Sequence, residues 1–180
     1  MQRVERSVFG ELNGKPIHLF RLSNANGMVA ELLEFGGRIR ALCILDGQGG
    51  LDNMSVGYDT FEPYHARFNP WLGALLGRTA SRVTGARFQI DGKTYNLSAS
   101  GPAGSNMHGG FVGFDSRVWT GEADSDATGA TLKLTYLSPD GEEGYPGNAS
   151  VTVTYRLDDD NRFHMNWEAV TDAPTIIDMS

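Results

Sequence analysis

Cysteine is almost missing from this chain. Cys43 is the only one in 180 residues, which excludes an intrachain disulfide and fits a reducing compartment. Its neighbours Ala41-Leu42 and Ile44-Leu45 give it the reading of a small buried hydrophobe. Basic charge is scarce as well. Lys and Arg number 15 against 22 Asp and Glu, for a formal net charge of −7, which argues against a nucleic-acid partner because phosphate backbones attract basic faces. Arg38 and Arg40 lie close together, but Glu31, Glu34 and Asp46 surround them and no basic patch forms. No apolar run approaches the roughly 18 residues of a membrane-spanning helix. The N-terminal Met-Gln-Arg-Val-Glu-Arg is followed by no apolar stretch of signal-peptide type. The expected compartment is the cytoplasm, with no membrane partner.

Several kinds of chemistry lack their residues. His18, His65, His108 and His164 are far apart and share no helical or strand spacing, so no metal set is expected. Gly36-Gly37 and Gly49-Gly50 lack the strand-to-helix context of a phosphate-binding loop. No Gly-x-Ser-x-Gly elbow occurs. Sustained helical periodicity, repeats, linkers and low-complexity stretches are missing too.

What is present is alternation of period two. In Val151 to Leu157 the odd positions are apolar and the even ones polar, and Phe163, Met165, Trp167 and Ala169 alternate with His164, Asn166 and Glu168. Leu132 and Leu134 flank Lys133. Each pattern predicts a strand with one buried face. Asn13-Gly14, Asn26-Gly27, Asp46-Gly47, Asp91-Gly92 and Asp140-Gly141 are Asx-Gly pairs, which tolerate the positive φ of tight hairpin turns. The clearest hairpin is Phe88 to Tyr95 around Asp91-Gly92. With 23 glycines and 40% apolar residues, the chain reads as an all-β sandwich. Thr60 to Phe68 has room for a short helical turn limited by Pro63. Thr175 to Ser180 begins another β-type run and reads as an unpaired edge. From it follow three expectations: a piece of a longer domain, exposed apolar faces, and self-association.

The candidate chemistry centres on Asn106-Met107-His108-Gly109-Gly110, followed by Gly113-Phe114-Asp115 and Val118-Trp119. A histidine beside two glycines in a loop can hydrogen-bond a small polar ligand that the glycines let approach, although such a residue is often no more than part of its loop. Gly77-Arg78-Thr79-Ala80-Ser81-Arg82-Val83 supplies two guanidinium forks; the two readings are a pair of surface or salt-bridged arginines, or one arginine that reaches a site. The adjacent carboxylates Glu142 and Glu143 sit in a Gly/Pro loop and read as solvated turn residues. Trp71, Phe111 and Trp119 can offer aromatic faces to sugar C–H groups, with core packing as the commoner role.

Taken in order, these stretches resemble the aldose 1-epimerase (galactose mutarotase) family. The likeness is collinear from about Phe9 to Ser180. It runs through Asn26-Gly27-Met28, Glu34 to Ile39, Gly57-Tyr58, Asn69 to Gly73, Gly77 to Arg82, Phe88 to Leu97, His108-Gly109-Gly110, Asp140 to Gly147 and Thr171 to Thr175. The resemblance implies an antiparallel β-supersandwich that interconverts the α and β anomers of free aldoses such as galactose and glucose, with no metal or organic cofactor. The implied chemistry is acid/base ring opening. Arg82 matches the family's sugar-contacting arginine, and His108 its first active-site histidine, which hydrogen-bonds the sugar near the ring oxygen. Ser81 stands where the family usually has a sugar-contacting asparagine. The family's general acid, a histidine in an Asn-His-x-Tyr-Phe motif, and its general-base glutamate match nothing in this sequence. The resemblance therefore implies a chain inactive alone, one that acts with a complementing C-terminal half or self-associates. The alternative is a non-catalytic carbohydrate-binding or protein-interaction β-sandwich.

Overall fold

Hairpins fix the register of most of the molecule. The computed structural model describes residues 3–66 and 70–180. Asn13 (φ 53°) and Gly14 (φ 76°) form the turn between β1 (Val4–Leu12) and β2 (Lys15–Ser23). Both are left-handed, as a tight two-residue hairpin requires. β3 (Val29–Leu33), β4 (Arg38–Leu45) and β5 (Leu51–Asn53) complete a five-stranded antiparallel sheet in sequence order. In the β4–β5 connection the left-handed residue is Gly49 (φ 88°) rather than Gly47, because the Asp46 carboxylate accepts the Gln48 and Gly50 N–H groups and closes the turn. A 3-10 turn at Glu62–His65 has Pro63 in its first turn, where a missing N–H costs nothing. Arg67 to Asn69 lie outside the described residues.

Two short antiparallel pairs follow. β6 (Arg82–Val83) pairs with β9 (Asn106–Met107), and β7 (Arg87–Ile90) with β8 (Lys93–Asn96) through Asp91 and Gly92. The second large sheet runs β10 (Thr120–Asp126), β11 (Gly129–Ser138), β12 (Ala149–Asp158), β13 (Phe163–Thr171), all antiparallel.

The two large sheets face each other. Phe20, Leu22, Ala30 and Leu32 of the first share one buried cluster with Leu132, Leu134, Val151, Val153, Tyr155 and Leu157 of the second. Each large side chain buried there contributes about 1.5–3 kcal/mol by leaving water. The Tyr155 hydroxyl donates to the Gly37 carbonyl at 2.6 Å and ties the layers. The alternation of β11 and β12 is therefore the alternation of the core.

β13 departs from its expected burial. Its register sets Trp167 opposite Val153 and Met165 opposite Tyr155, so both point to the inner face. Both are nevertheless 43% exposed. β13 is the edge of its sheet, and no described strand lies beyond it to cover that margin. The final run departs in the other direction. It was expected to be an unpaired edge, yet Asp178 bridges Thr79 in parallel, Ala80 N–H donates to the Asp178 carbonyl at 2.6 Å, and Ser180 and Leu76 exchange backbone bonds at 2.8 and 3.2 Å. Backbone groups that leave water need partners, and the 76–80 stretch provides them. Cys43 is half-buried rather than buried, one position short of the exposed end of β4.

Candidate functional site

The short β6–β9 ladder brings together the three residues expected to meet a ligand. Arg82 pairs with Met107, which places Ser81 beside His108 at the end of the ladder. The His108 N–H donates to the Ser81 carbonyl at 2.9 Å, and the Ser81 N–H donates to His108 Nδ1 at 3.1 Å. An amide N–H needs a lone pair to donate into, so Nδ1 is the acceptor and the neutral ring carries its proton on Nε2. Ser81 and Arg82 are exposed and His108 is half-buried. His108 (φ 50°) and Ser81 (φ 59°) are both left-handed. Such backbone costs about 1–3 kcal/mol per residue and persists where surroundings over-determine it.

Those surroundings are built by residues to which sequence reasoning assigned surface roles. Gly109 (φ 91°) lies so close to Gly77 that a Cβ would collide with the Gly77 carbonyl, so the His108 loop seats directly on the 77–82 stretch. Glu143 is no solvated turn residue. Its carboxylate accepts the Phe111 and Val112 N–H groups at 2.9 and 3.0 Å, and it fills the space a Cβ on Gly110 would take. Glu142 is largely buried: it pairs with Arg117 at 2.7 Å and accepts the Tyr136 hydroxyl at 2.6 Å and that of Ser138. Burial, with the Glu142 carboxylate beside it, pushes the Tyr136 hydroxyl far above its ordinary range.

Arg78 and Arg82 divide their roles by side. Arg82 reaches the surface, whereas Arg78 is 2% exposed. The Arg78 guanidinium donates to the carbonyls of Ser138, Pro139, Pro146 and Gly147 at 2.7–3.0 Å, and to the Ser138 hydroxyl at 2.8 Å. It clamps the β11–β12 connection onto the segment that carries Ser81 and Arg82. Burial lowers its pKa, and Glu142 and Asp140 oppose that shift.

A hollow of about 300 Å³ adjoins the His108 loop, lined by Trp71, Phe111, Asp115, Tyr64 and His65 among others. Arg38, fully buried, donates to the carbonyls of Leu72 at 2.9 Å and Asp115 at 3.2 Å and so holds both sides of it. Desolvation raises the Asp115 carboxyl, with Ser116, Arg38 and His108 pulling it back. Desolvation lowers the His108 imidazole below its ordinary 6.5; Asp115 opposes the shift and Arg82 adds to it. The site therefore gathers a neutral imidazole with its proton on Nε2, a guanidinium and a hydroxyl. Among the described residues no group of three or more His, Cys, Asp or Glu is gathered to hold a metal.

Two large antiparallel sheets packed face to face, with a short ladder that carries a polar cluster, form a β-supersandwich of the galactose mutarotase type. The family model for aldose 1-epimerase matches residues 18–180, and the chain belongs to that family. It is 39% identical to rat galactose mutarotase over 160 residues, 88% of this chain and 45% of that protein. It is 34% identical to the aldose 1-epimerase of Escherichia coli K12 over 168 residues, 93% of this chain and 47% of that one. The crystal structure of galactose 1-epimerase from Lactobacillus acidophilus NCFM superposes with a TM-score of 0.86 at 29% identity, covering 97% of this chain and 50% of that one. The chain thus spans about half the length of the relatives it matches. No helix among the described residues is long and apolar enough to cross a membrane.

Proposed function

We propose that the chain is the N-terminal part of a single mutarotase-like domain, residues 1–180, and holds the sugar-orienting half of an aldose 1-epimerase site. Its ligand is a free aldose, galactose or glucose. Arg82 and Ser81 hydrogen-bond hydroxyls, and His108 donates from Nε2 toward the ring oxygen. The observation that carries this reading is the Ser81 N–H to His108 Nδ1 bond at 3.1 Å, which leaves the ring proton on Nε2 as a donor before any ligand arrives. Paying orientation in advance is what a binding site needs.

In the whole family domain the reaction is ring opening. A base takes the proton of the anomeric hydroxyl while an acid protonates the ring oxygen, so the C1–O bond of the ring breaks as the C1 carbonyl forms; the C1–C2 bond rotates, and the reverse transfers close the ring on the other face. His108 is the orienting partner in that scheme, with the general acid and base supplied by a complementing C-terminal half in the cytoplasm. General acid–base groups contribute about 10²–10⁴-fold each, so the chain alone binds but does not turn over. Polarimetry on freshly dissolved α-galactose tests the catalytic part: the expected rate is that of buffer, and a rate well above it refutes the division of labour. Calorimetric titration with galactose tests the binding part. Saturable millimolar binding lost in Arg82→Ala and His108→Ala is expected, and no heat at high sugar refutes it.

A further inference from the structure

From sequence, Trp71, Trp119 and Phe111 could each face a sugar, and the structure separates them and the remaining indole, Trp167. Trp119 is 1% exposed in the core and Trp167 lies on edge strand β13, away from the β6–β9 ladder. Trp71 is 37% exposed and its ring centroid stands 4.9 Å from that of His108, tilted by 58°. Phe111, 71% exposed, lines the same hollow together with Asp115.

The backbone holds Trp71 there at a cost. Its φ is 57°, a conformation rare for a bulky side chain. The Ala74 N–H donates to the Trp71 carbonyl at 3.1 Å and closes the turn. Gly73 (φ 61°) seats against β4, where a Cβ would strike the Ile39 carbonyl and where the Ile39 N–H donates to the Gly73 carbonyl at 2.9 Å. Arg38 holds the intervening Leu72 carbonyl. Three contacts therefore fix a strained turn whose product is an indole turned toward His108 and the hollow instead of into the core. Strain so maintained points to a role beyond packing.

A pyranose has two kinds of surface, an edge of hydroxyls and a face of C–H groups. Arg82, Ser81 and the His108 Nε2–H serve the edge. None of them serves the face. We propose that Trp71 is the aromatic platform on which the apolar face of the aldose stacks, with Phe111 flanking it and the Asp115 carboxylate accepting a hydroxyl from the floor of the hollow. This rests on the sugar-site reading given above and adds a binding surface to it. Trp71 orders the sugar ring beside His108 and selects for pyranoses whose hydroxyls leave one face apolar.

The test is a calorimetric and fluorescence titration of the whole 180-residue chain with galactose, using wild type, Trp71→Ala, Trp71→Phe and Arg82→Ala, each checked for an unchanged thermal midpoint. Trp71→Ala is expected to weaken galactose about five- to tenfold, the scale of one aromatic contact. Trp71→Phe retains a stacking face and is expected to stay within about threefold of wild type, while the galactose-induced change in indole emission disappears. If Trp71→Ala binds as wild type while Arg82→Ala does not, the platform is refuted and the sugar site survives. If wild type itself binds no galactose, the sugar site is refuted and the platform falls with it.

Discussion

Replacing Arg78 by Ala tests how the site is held. The guanidinium reaches four carbonyls and one hydroxyl at 2.7–3.0 Å. Of the residues bearing those acceptors, Ser138, Pro146 and Gly147 are buried and Pro139 is exposed. Each buried acceptor stripped of its donor costs about 1–3 kcal/mol. Water entering the vacated space recovers part of that, so the whole loss is set at about 3–5 kcal/mol, the range for removing one partner of a buried charged network. Against a domain stability of about 5–15 kcal/mol this is a large fraction. With a urea slope of about 2 kcal/mol/M the unfolding midpoint falls by about 1.5–2.5 M. Arg78→Lys keeps the charge but offers a point donor instead of a planar fork, so it recovers less than half the loss. A loss under about 1 kcal/mol for Arg78→Ala, well below that range, or full recovery by Lys, refutes the clamp.

Further expectations follow from the same geometry. Glu143→Ala strands the Phe111 and Val112 N–H groups. Because both residues are exposed and water can take up their N–H groups, it should cost only about 0.5–1.5 kcal/mol, but speed hydrogen exchange at those two amides and weaken galactose binding; unchanged exchange refutes the anchoring role. His108 should titrate below 6.5, lower still in Asp115→Asn and closer to 6.5 in Arg82→Ala. Because its folded pKa is depressed, its contribution to stability is complete above pH 6.5 and is lost as pH falls through the folded value. An NMR pH titration checks the order of the three proteins. The exposed inner-face residues Met165 and Trp167 should drive concentration-dependent self-association in light scattering, relieved by Trp167→Glu; a monodisperse monomer at high concentration contradicts this.

Strand content was legible because β11 and β12 are flanked by neighbours on both sides, so the period-two pattern of Val151 to Leu157 maps onto burial without exception. The same pattern failed at Met165 and Trp167, because alternation reports which face a residue takes but not whether anything covers it. At the site, His108 stood out beside its glycines and Arg82 as one of two guanidinium forks, but only the family resemblance joined them to each other and to Ser81. They are 27 positions apart at most and are joined by a two-residue ladder too short to leave a pattern. The supporting residues were hidden for a physical reason. Glu143 and Arg78 are charged residues near glycines and prolines, where exposure is the ordinary outcome. Their roles come from backbone groups that converge on them from elements 31 to 69 positions away. Trp71 gave one usable signal, Gly73 two positions on, which marks a turn but not the direction in which the indole leaves it.

The protonation state of His108 tests the central claim most directly. Nitrogen-15 chemical shifts of the imidazole at neutral pH should show Nδ1 unprotonated and Nε2 carrying the proton, with Nε2 shifting on addition of galactose and Nδ1 remaining bonded to the Ser81 amide. A proton on Nδ1, or an imidazole whose shifts ignore saturating galactose, contradicts the account.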